Sequence, residues 1–180
     1  SGLFGAIAVA REYGHGTVIP TFLASPRRHR AAIAQLAAVA IGGAVLGFVG
    51  AAATSIAVAA ALPTTEFDFL VGGADLARVL AASALAGGAG AVLGAGIGAV
   101  VRNVGGAVVG AVLMLVIAPP LIVQLADEAF SWVPASLANV VSGVTEGTEV
   151  STPAALLALL AWALVPAVIG VAAVMRRDVV

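Results

Sequence analysis

The chain has 180 residues, of which 62% are hydrophobic and only 9% are charged, and its mean hydropathy is +1.15. An ordinary soluble domain has roughly 25% charged residues, so this chain has too few polar side chains to cover a water-exposed surface. Disorder is excluded as well, because disordered chains combine low hydrophobicity with high charge. The composition therefore predicts an integral membrane protein.

Missing residue types exclude several kinds of site. The sequence has no lysine, which excludes the P-loop phosphate-binding motif, and no cysteine, which excludes disulfides and thiolate metal ligands. Its two histidines, His15 and His29, have no acidic cluster beside them, so we predict no metal site. The eight basic residues are too few and too scattered to predict a nucleic-acid partner.

The first residues, 1–10, are apolar but too short to cross a bilayer and lack the features of a signal peptide. We expect them to be the end of a membrane span whose beginning precedes this sequence.

Residues 11–30 form the first polar segment, REYGHGTVIPTFLASPRRHR. Thr17 is a good helix N-cap, Pro20 fits the first turn, and Pro26 ends the helix. A helix over 17–25 would place Val18 with Phe22 and Ile19 with Leu23 on one apolar stripe. Such a helix could lie at the membrane surface or dock in the groove of a partner protein, and the pattern alone favours neither.

Four charge-free runs follow. They occupy residues 31–62, 79–101, 104–126 and 153–175. About 20 apolar residues cross the hydrocarbon core as a helix, so each run predicts one transmembrane helix. Between the last two runs, residues 134–141 predict a short helix that packs against the outer leaflet of the membrane. The whole chain is thus predicted to be one all-α transmembrane domain. It would contain four complete spans, an N-terminal half span and the short cytoplasmic amphipathic helix over 17–25.

Arginine placement predicts the orientation. If the spans alternate, seven of the eight arginines fall on one side and Arg78 alone falls on the other, with most of the acidic residues. Since arginine and lysine are enriched in cytoplasmic loops, we expect the loops 63–78 and 127–152 to face outward and the C-terminus to be cytoplasmic. The residues predicted to anchor the spans at the cytoplasmic headgroups are Arg27, Arg28, Arg30, Arg102, Arg176 and Arg177.

No ionisable residue lies inside a predicted span, which argues against a proton relay or an ion-coupled carrier. The interior polar residues are Gln35, Thr54, Ser55, Ser83 and Gln124. They either hydrogen-bond neighbouring helices or, for Gln35 and Gln124, line a substrate path.

Glycine and proline mark special positions in the spans. Gly90, Gly94 and Gly98 recur every fourth residue and predict a smooth stripe where another helix approaches closely. Pro119-Pro120 and Pro166 lie within spans and predict kinks, which either shape a cavity or are purely structural.

The polar segment resembles the cytoplasmic loop of ABC-2-type transporter permeases. The resemblance is carried by Glu12-Tyr13-x-His15-Gly16-Thr17 followed by Thr21-x-Leu23-x-x-Pro26-Arg27-Arg28. Arg102-Asn103 between two glycine-rich spans, the long loop before the last span and the closing Arg176-Arg177-Asp178-Val179 are also similar to that family. The resemblance covers essentially the whole chain.

Membership of this family would imply six transmembrane helices, of which this chain holds the end of the second and all of the third to sixth. Residues 17–25 would be a coupling helix that docks on a separate ATPase subunit. Glu12, His15, Gly16 and Thr17 would shape the loop, and Phe22 and Leu23 would contact the ATPase. ATP and Mg²⁺ would bind to that subunit, so this chain would be no enzyme and hold no cofactor.

Further expectations follow from the same resemblance. Two copies of the chain, or one copy and a homologous permease, would form the path of an exporter. Separately from the resemblance, the bias of the amino-acid composition toward Ala, Gly, Val and Arg suggests a bacterial inner membrane. Two alternatives stay open: an ATP-independent channel or carrier, and a non-transporting membrane partner that assembles or regulates another complex.

Overall fold

A computed structural model describes residues 1–14, 28–61, 72–125, 127–144 and 150–176. All regular structure within these ranges is helical. The α-helices are α1 (Gly2–Gly14), α2 (Arg28–Ala61), α3 (Gly73–Val101), α4 (Val104–Val112), α5 (Ala118–Leu125), α6 (Pro134–Ser142) and α7 (Thr152–Arg176). A π-helical segment, Leu113–Ile117, joins α4 to α5, and a 3-10 helix, Asp127–Trp132, precedes α6.

Four helical stretches in the described part of the chain are long and apolar enough to cross a membrane. They are Arg30–Ala61, Gly73–Val101, Val104–Ile122 and Thr152–Ala173. The prediction of an all-helical chain with four such helices is therefore confirmed. The predicted amphipathic helix over 17–25 lies outside the described residues.

Several helices extend beyond the charge-free runs. α3 begins at Gly73, six residues before the predicted start, and includes Asp75 and Arg78. A carboxylate in the first turn is favourable beside the partial positive charge of a helix N-terminus, so charge does not end the helix there. Likewise α1 continues through Arg11 and Glu12 to Gly14. α2 begins at Arg28 and has 34 residues, a length of about 51 Å that exceeds one hydrocarbon crossing.

The central helix of the bundle is α3. It packs against α1, α2, α6 and α7, and half of its most apolar window is buried, against roughly a tenth of the window in α2. Near the C-terminal end of α3, Ala95 and Ala99 form a core with Val9 of α1 and Val39 of α2. This end of the bundle is called the Glu12 end below, because Glu12 lies beside that core.

The opposite end of α3 carries a second core, in which Ala82 packs with Leu137 of α6 and with Ala155 and Leu159 of α7. Leu137 is completely buried. The short helix predicted over 134–141 is present as α6. Its apolar face meets α3 and α7 because these two helices present small side chains to it. We call this the Leu137 end.

The helix of the third charge-free run, 104–126, changes its winding just before its two prolines. The amide of Ala118 donates to the carbonyl oxygen of Leu113, five residues back, which defines the π-helical segment. Pro119 and Pro120 have no N–H, and their rings clash with the carbonyls four residues earlier in a regular α-helix. The π turn directly precedes both prolines and interrupts the α-helical bonding pattern at the position where the sequence predicts a kink.

Candidate functional site

The segment that resembles the permease loop connects α1 to α2 at the Glu12 end. Of its predicted functional residues, the structure describes Glu12, which lies in the last turn of α1 with an exposed side chain. His15, Gly16, Thr17, Phe22, Leu23 and Arg27 lie outside the described residues. Arg28 is the first residue of α2, and Arg30 follows in its first turn with an exposed side chain.

A side-chain hydrogen bond joins the two helices that flank this segment. Nε2 of Gln35 donates to a carboxylate oxygen of Glu12 at 2.6 Å. The short distance is typical of a bond to an ionised acceptor, which is stronger than a bond between neutral groups. Close to it, Leu36 of α2 packs on the same core as Val9 of α1. The apolar core and the polar bond thus hold the ends of α1 and α2 side by side.

The interior polar residues match the sequence expectation only in part. Gln35 hydrogen-bonds a neighbouring helix, which is one of the two alternatives that the sequence predicted for it. Thr54 and Ser55 instead donate to carbonyl oxygens of their own helix, those of Gly50 and Ala51, both at 2.9 Å. Such bonds to the preceding turn satisfy a hydroxyl without a partner helix, which sequence spacing alone did not reveal. Gln124 has an exposed side chain on α5.

The turn between α3 and α4 is built by Arg102 and Asn103. Arg102 has φ +58°, a left-handed conformation that ends α3, and its amide donates to the carbonyl oxygen of Gly98. Asn103 begins α4 as an N-cap, because its side-chain oxygen accepts from the amide of Gly106 at 2.6 Å. At the far end of the chain, α7 ends at Arg176, and Arg177 lies outside the described residues.

Glycines bring three helices against α3. A Cβ at Gly94 would overlap the carbonyl oxygen of Gly2 in α1, and one at Gly98 would lie 2.6 Å from the carbonyl oxygen of Ala6. The third glycine of the predicted stripe, Gly90, lies beside Ser1. The stripe therefore faces α1, where the absence of side chains permits the close approach.

Other faces of α3 carry glycines that the sequence analysis did not single out. A Cβ at Gly87 would overlap the carbonyl oxygen of Gly43 in α2. One at Gly96 would overlap the backbone of Pro166 in α7, where Gly170 also packs on Gly96. Gly96 lies two residues after Gly94, about 200° around the helix. The sequence could have predicted the central position of α3, because glycines on opposite faces of one span indicate a helix with neighbours on both sides.

Two apolar grooves open on the sides of the bundle. The first, about 340 Å³ in volume, lies among Trp132, Met114 and the α7 residues around Trp162 and Pro166. The second, about 440 Å³, lies between Ile33 and Leu36 of α2 and the end of α7 from Leu164 to Ala172. Both are lined by carbon-rich side chains. Trp162 lines the first groove and donates from Nε1 to the backbone carbonyl oxygen of Trp132 at 3.0 Å.

The described residues contain no group of three or more His, Asp or Glu side chains placed to hold a metal ion. No protein-family model, curated protein or solved structure matches the chain. Functional interpretation therefore depends on the geometry above and on the sequence motif between α1 and α2.

Proposed function

We propose that this chain is the membrane-spanning subunit of an ABC-2-type exporter, which forms a substrate path and couples to a separate ATPase subunit. The observation that carries the proposal is the motif from Glu12 to Arg28, which resembles the cytoplasmic loop of such permeases. Its position supports the proposal, because the motif connects two helices that both pack against the central helix α3. Force applied to the loop would therefore act directly on the core of the bundle.

In this proposal the chain itself makes and breaks no bond. ATP would bind and be hydrolysed on the partner, and residues 17–25 would dock on it through Phe22 and Leu23. The resulting movement would enter the bundle through α1 and α2, and glycine contacts with α3 would transmit it. Two copies of the chain, or one copy with a homologue, would enclose the path in a bacterial inner membrane.

The experiment that tests this function is purification of the tagged protein from its native membrane in mild detergent, with mass spectrometry of the proteins that follow it. We expect a stoichiometric ATPase subunit. Phe22→Asp places a charge on the docking stripe and should abolish the association. Phe130→Asp is the matched control, since Phe130 is 59% exposed near the Leu137 end and should tolerate the same change.

Two results would contradict the proposal. If no ATPase accompanies the folded wild-type protein, the chain is a passive channel or an assembly partner of another complex. If Phe22→Asp retains the ATPase as well as Phe130→Asp does, the docking assignment is wrong although the family assignment survives.

The proposed orientation can be tested separately by cysteine labelling. Because the chain has no native cysteine, only an introduced cysteine would react. Val144 is 66% exposed beside the Leu137 end, whereas Ser25 belongs to the proposed cytoplasmic loop. In intact cells, a membrane-impermeant maleimide should label Val144→Cys and spare Ser25→Cys until the membrane is permeabilised. The reverse pattern would overturn the orientation.

A further inference from the structure

A polar contact joins α1 and α2 at the base of their connection. Segment 15–27 leaves α1 at Gly14 and enters α2 at Arg28. Glu12 lies three residues before this segment, whereas Gln35 lies two turns into α2. The 2.6 Å hydrogen bond between their side chains crosses from one helix to the other.

The rest of the contact between α1 and α2 is sparse compared with the contacts of each helix with α3. Each is held to α3 by glycine approaches, at Gly94 for α1 and at Gly87 for α2. Apart from the apolar core that contains Val9, Val39 and Leu36, little contact between α1 and α2 opposes a separate tilt of either helix on α3. The bond from Gln35 to Glu12 opposes that independent motion at the end where segment 15–27 is attached.

We propose that Gln35 is a positioning residue whose amide holds Glu12, so that α1 and α2 keep a fixed spacing at the two ends of segment 15–27. This inference rests on the proposed function in one respect: the fixed spacing presents the segment to an ATPase and lets both helices move together. Gln35 itself touches neither the ATPase nor the cargo. It acts through Glu12.

The chemistry of the pair allows a reciprocal exchange. Gln35→Glu opposes two carboxylates at the position of the bond and replaces attraction with repulsion. Adding Glu12→Gln restores one amide and one carboxylate with the donor now on α1. Asn139→Asp is the matched control, because it also changes an amide to a carboxylate, on an exposed side chain of α6.

The spacing is measured by thiol cross-linking in this cysteine-free chain. Cysteines replace Ala8 and Ala38, one turn away from Glu12 and Gln35 on their respective helices, and bismaleimides of graded length report the separation. With the shortest linker that reacts in the parent, Gln35→Glu should lower the yield about fivefold, which corresponds to about 1 kcal/mol for one hydrogen bond. The exchanged pair should restore the yield, and Asn139→Asp should not change it.

The second readout is ATP hydrolysis by the ATPase that co-purifies with each cysteine-free variant in lipid vesicles. A merely structural bond would leave this rate unchanged per folded complex, whereas a positioning role predicts a fall with Gln35→Glu and recovery in the exchanged pair. An unchanged cross-linking yield in Gln35→Glu, or no recovery in the exchanged pair, would overturn the proposal. So would altered spacing with unaltered ATP hydrolysis.

Failure of the proposed function looks different. In that case no ATPase co-purifies even with the wild type, while the cross-linking series still decides whether Gln35 fixes the spacing of α1 and α2.

Discussion

Arg78 of α3 donates a hydrogen bond from Nε to the backbone carbonyl oxygen of Val141 in α6, at 3.2 Å. Val141 lies in the last turn of α6, where carbonyls have no partner within the helix and the helix dipole is negative. Arg78, the single arginine on the predicted outer side, therefore has a structural role. Its hydrogen bond holds the end of α6 against the central helix α3.

Replacing Arg78 by Leu should lower the free energy of unfolding by about 1 kcal/mol, because a carbonyl loses a charged donor at a partly exposed site. Arg78→Lys should recover part of this loss, since it keeps the charge near the helix end but not the planar guanidinium. Thermal unfolding in one detergent measures both. Equal stability of the Leu variant and the wild type would show that the bond contributes nothing.

Gly143 ends α6 with φ +76°, and its amide donates to the carbonyl oxygen of Val140. Gly143→Ala should destabilise the protein for two separable reasons. The left-handed conformation costs a residue with a Cβ about 1–2 kcal/mol. That Cβ would also lie 2.8 Å from Cζ of Arg78. In the Arg78→Ala background only the first cost should persist, and a double-mutant cycle measures the difference. Strict additivity would contradict the contact.

Gly94→Ala should cost about 2 kcal/mol, since the added methyl overlaps the backbone of Gly2, which cannot move aside as a flexible side chain would. Gly50→Ala is the matched control. A Cβ at Gly50 meets no atom within 4 Å, so stability should stay within about 0.5 kcal/mol of the wild type. Unfolding in detergent compares the two variants. Similar losses for both would refute the close packing of α1 on α3.

Trp162→Phe removes the donor of the bond to the carbonyl oxygen of Trp132 and should destabilise the protein by about 1 kcal/mol. Trp132→Phe also removes an indole but keeps the backbone acceptor, so its effect should be smaller. The stability difference between the two variants isolates the hydrogen bond. A larger loss for Trp132→Phe would assign the stability to packing in the groove instead.

The hydrophobic runs predicted the spanning helices well, because the length of an apolar run limits how a chain can cross lipid. They could not predict helix ends. Asp75, Arg78 and Glu12 are polar, yet each continues a helix because water or a neighbouring helix end can accommodate its side chain. The motif placed the candidate site between α1 and α2, but the partner of Glu12 lies 23 residues away in sequence. No local pattern connects such residues before the helices pack.

The order of helices around α3 was also beyond the sequence analysis. A single glycine stripe was noted, whereas glycines on both faces of α3 decide its central position. Which glycine meets which helix depends on crossing geometry, as the approach of Gly96 to the backbone of Pro166 illustrates.

The π-helical segment before Pro119 has a consequence for the register of the span that contains it. The backbone bonds of a π turn reach back five residues instead of four, so the turn contains one extra residue. Every residue from Ala118 onward therefore occupies the place that the preceding residue would have in a continuous α-helix. Deleting one residue between 113 and 117 would return the span to continuous α-helical winding. Its second half would keep its present orientation, because the π turn already absorbs the extra residue. The side chains of α5 would therefore face the same surroundings, whereas rewinding the full-length segment as an α-helix would turn them by about 100°.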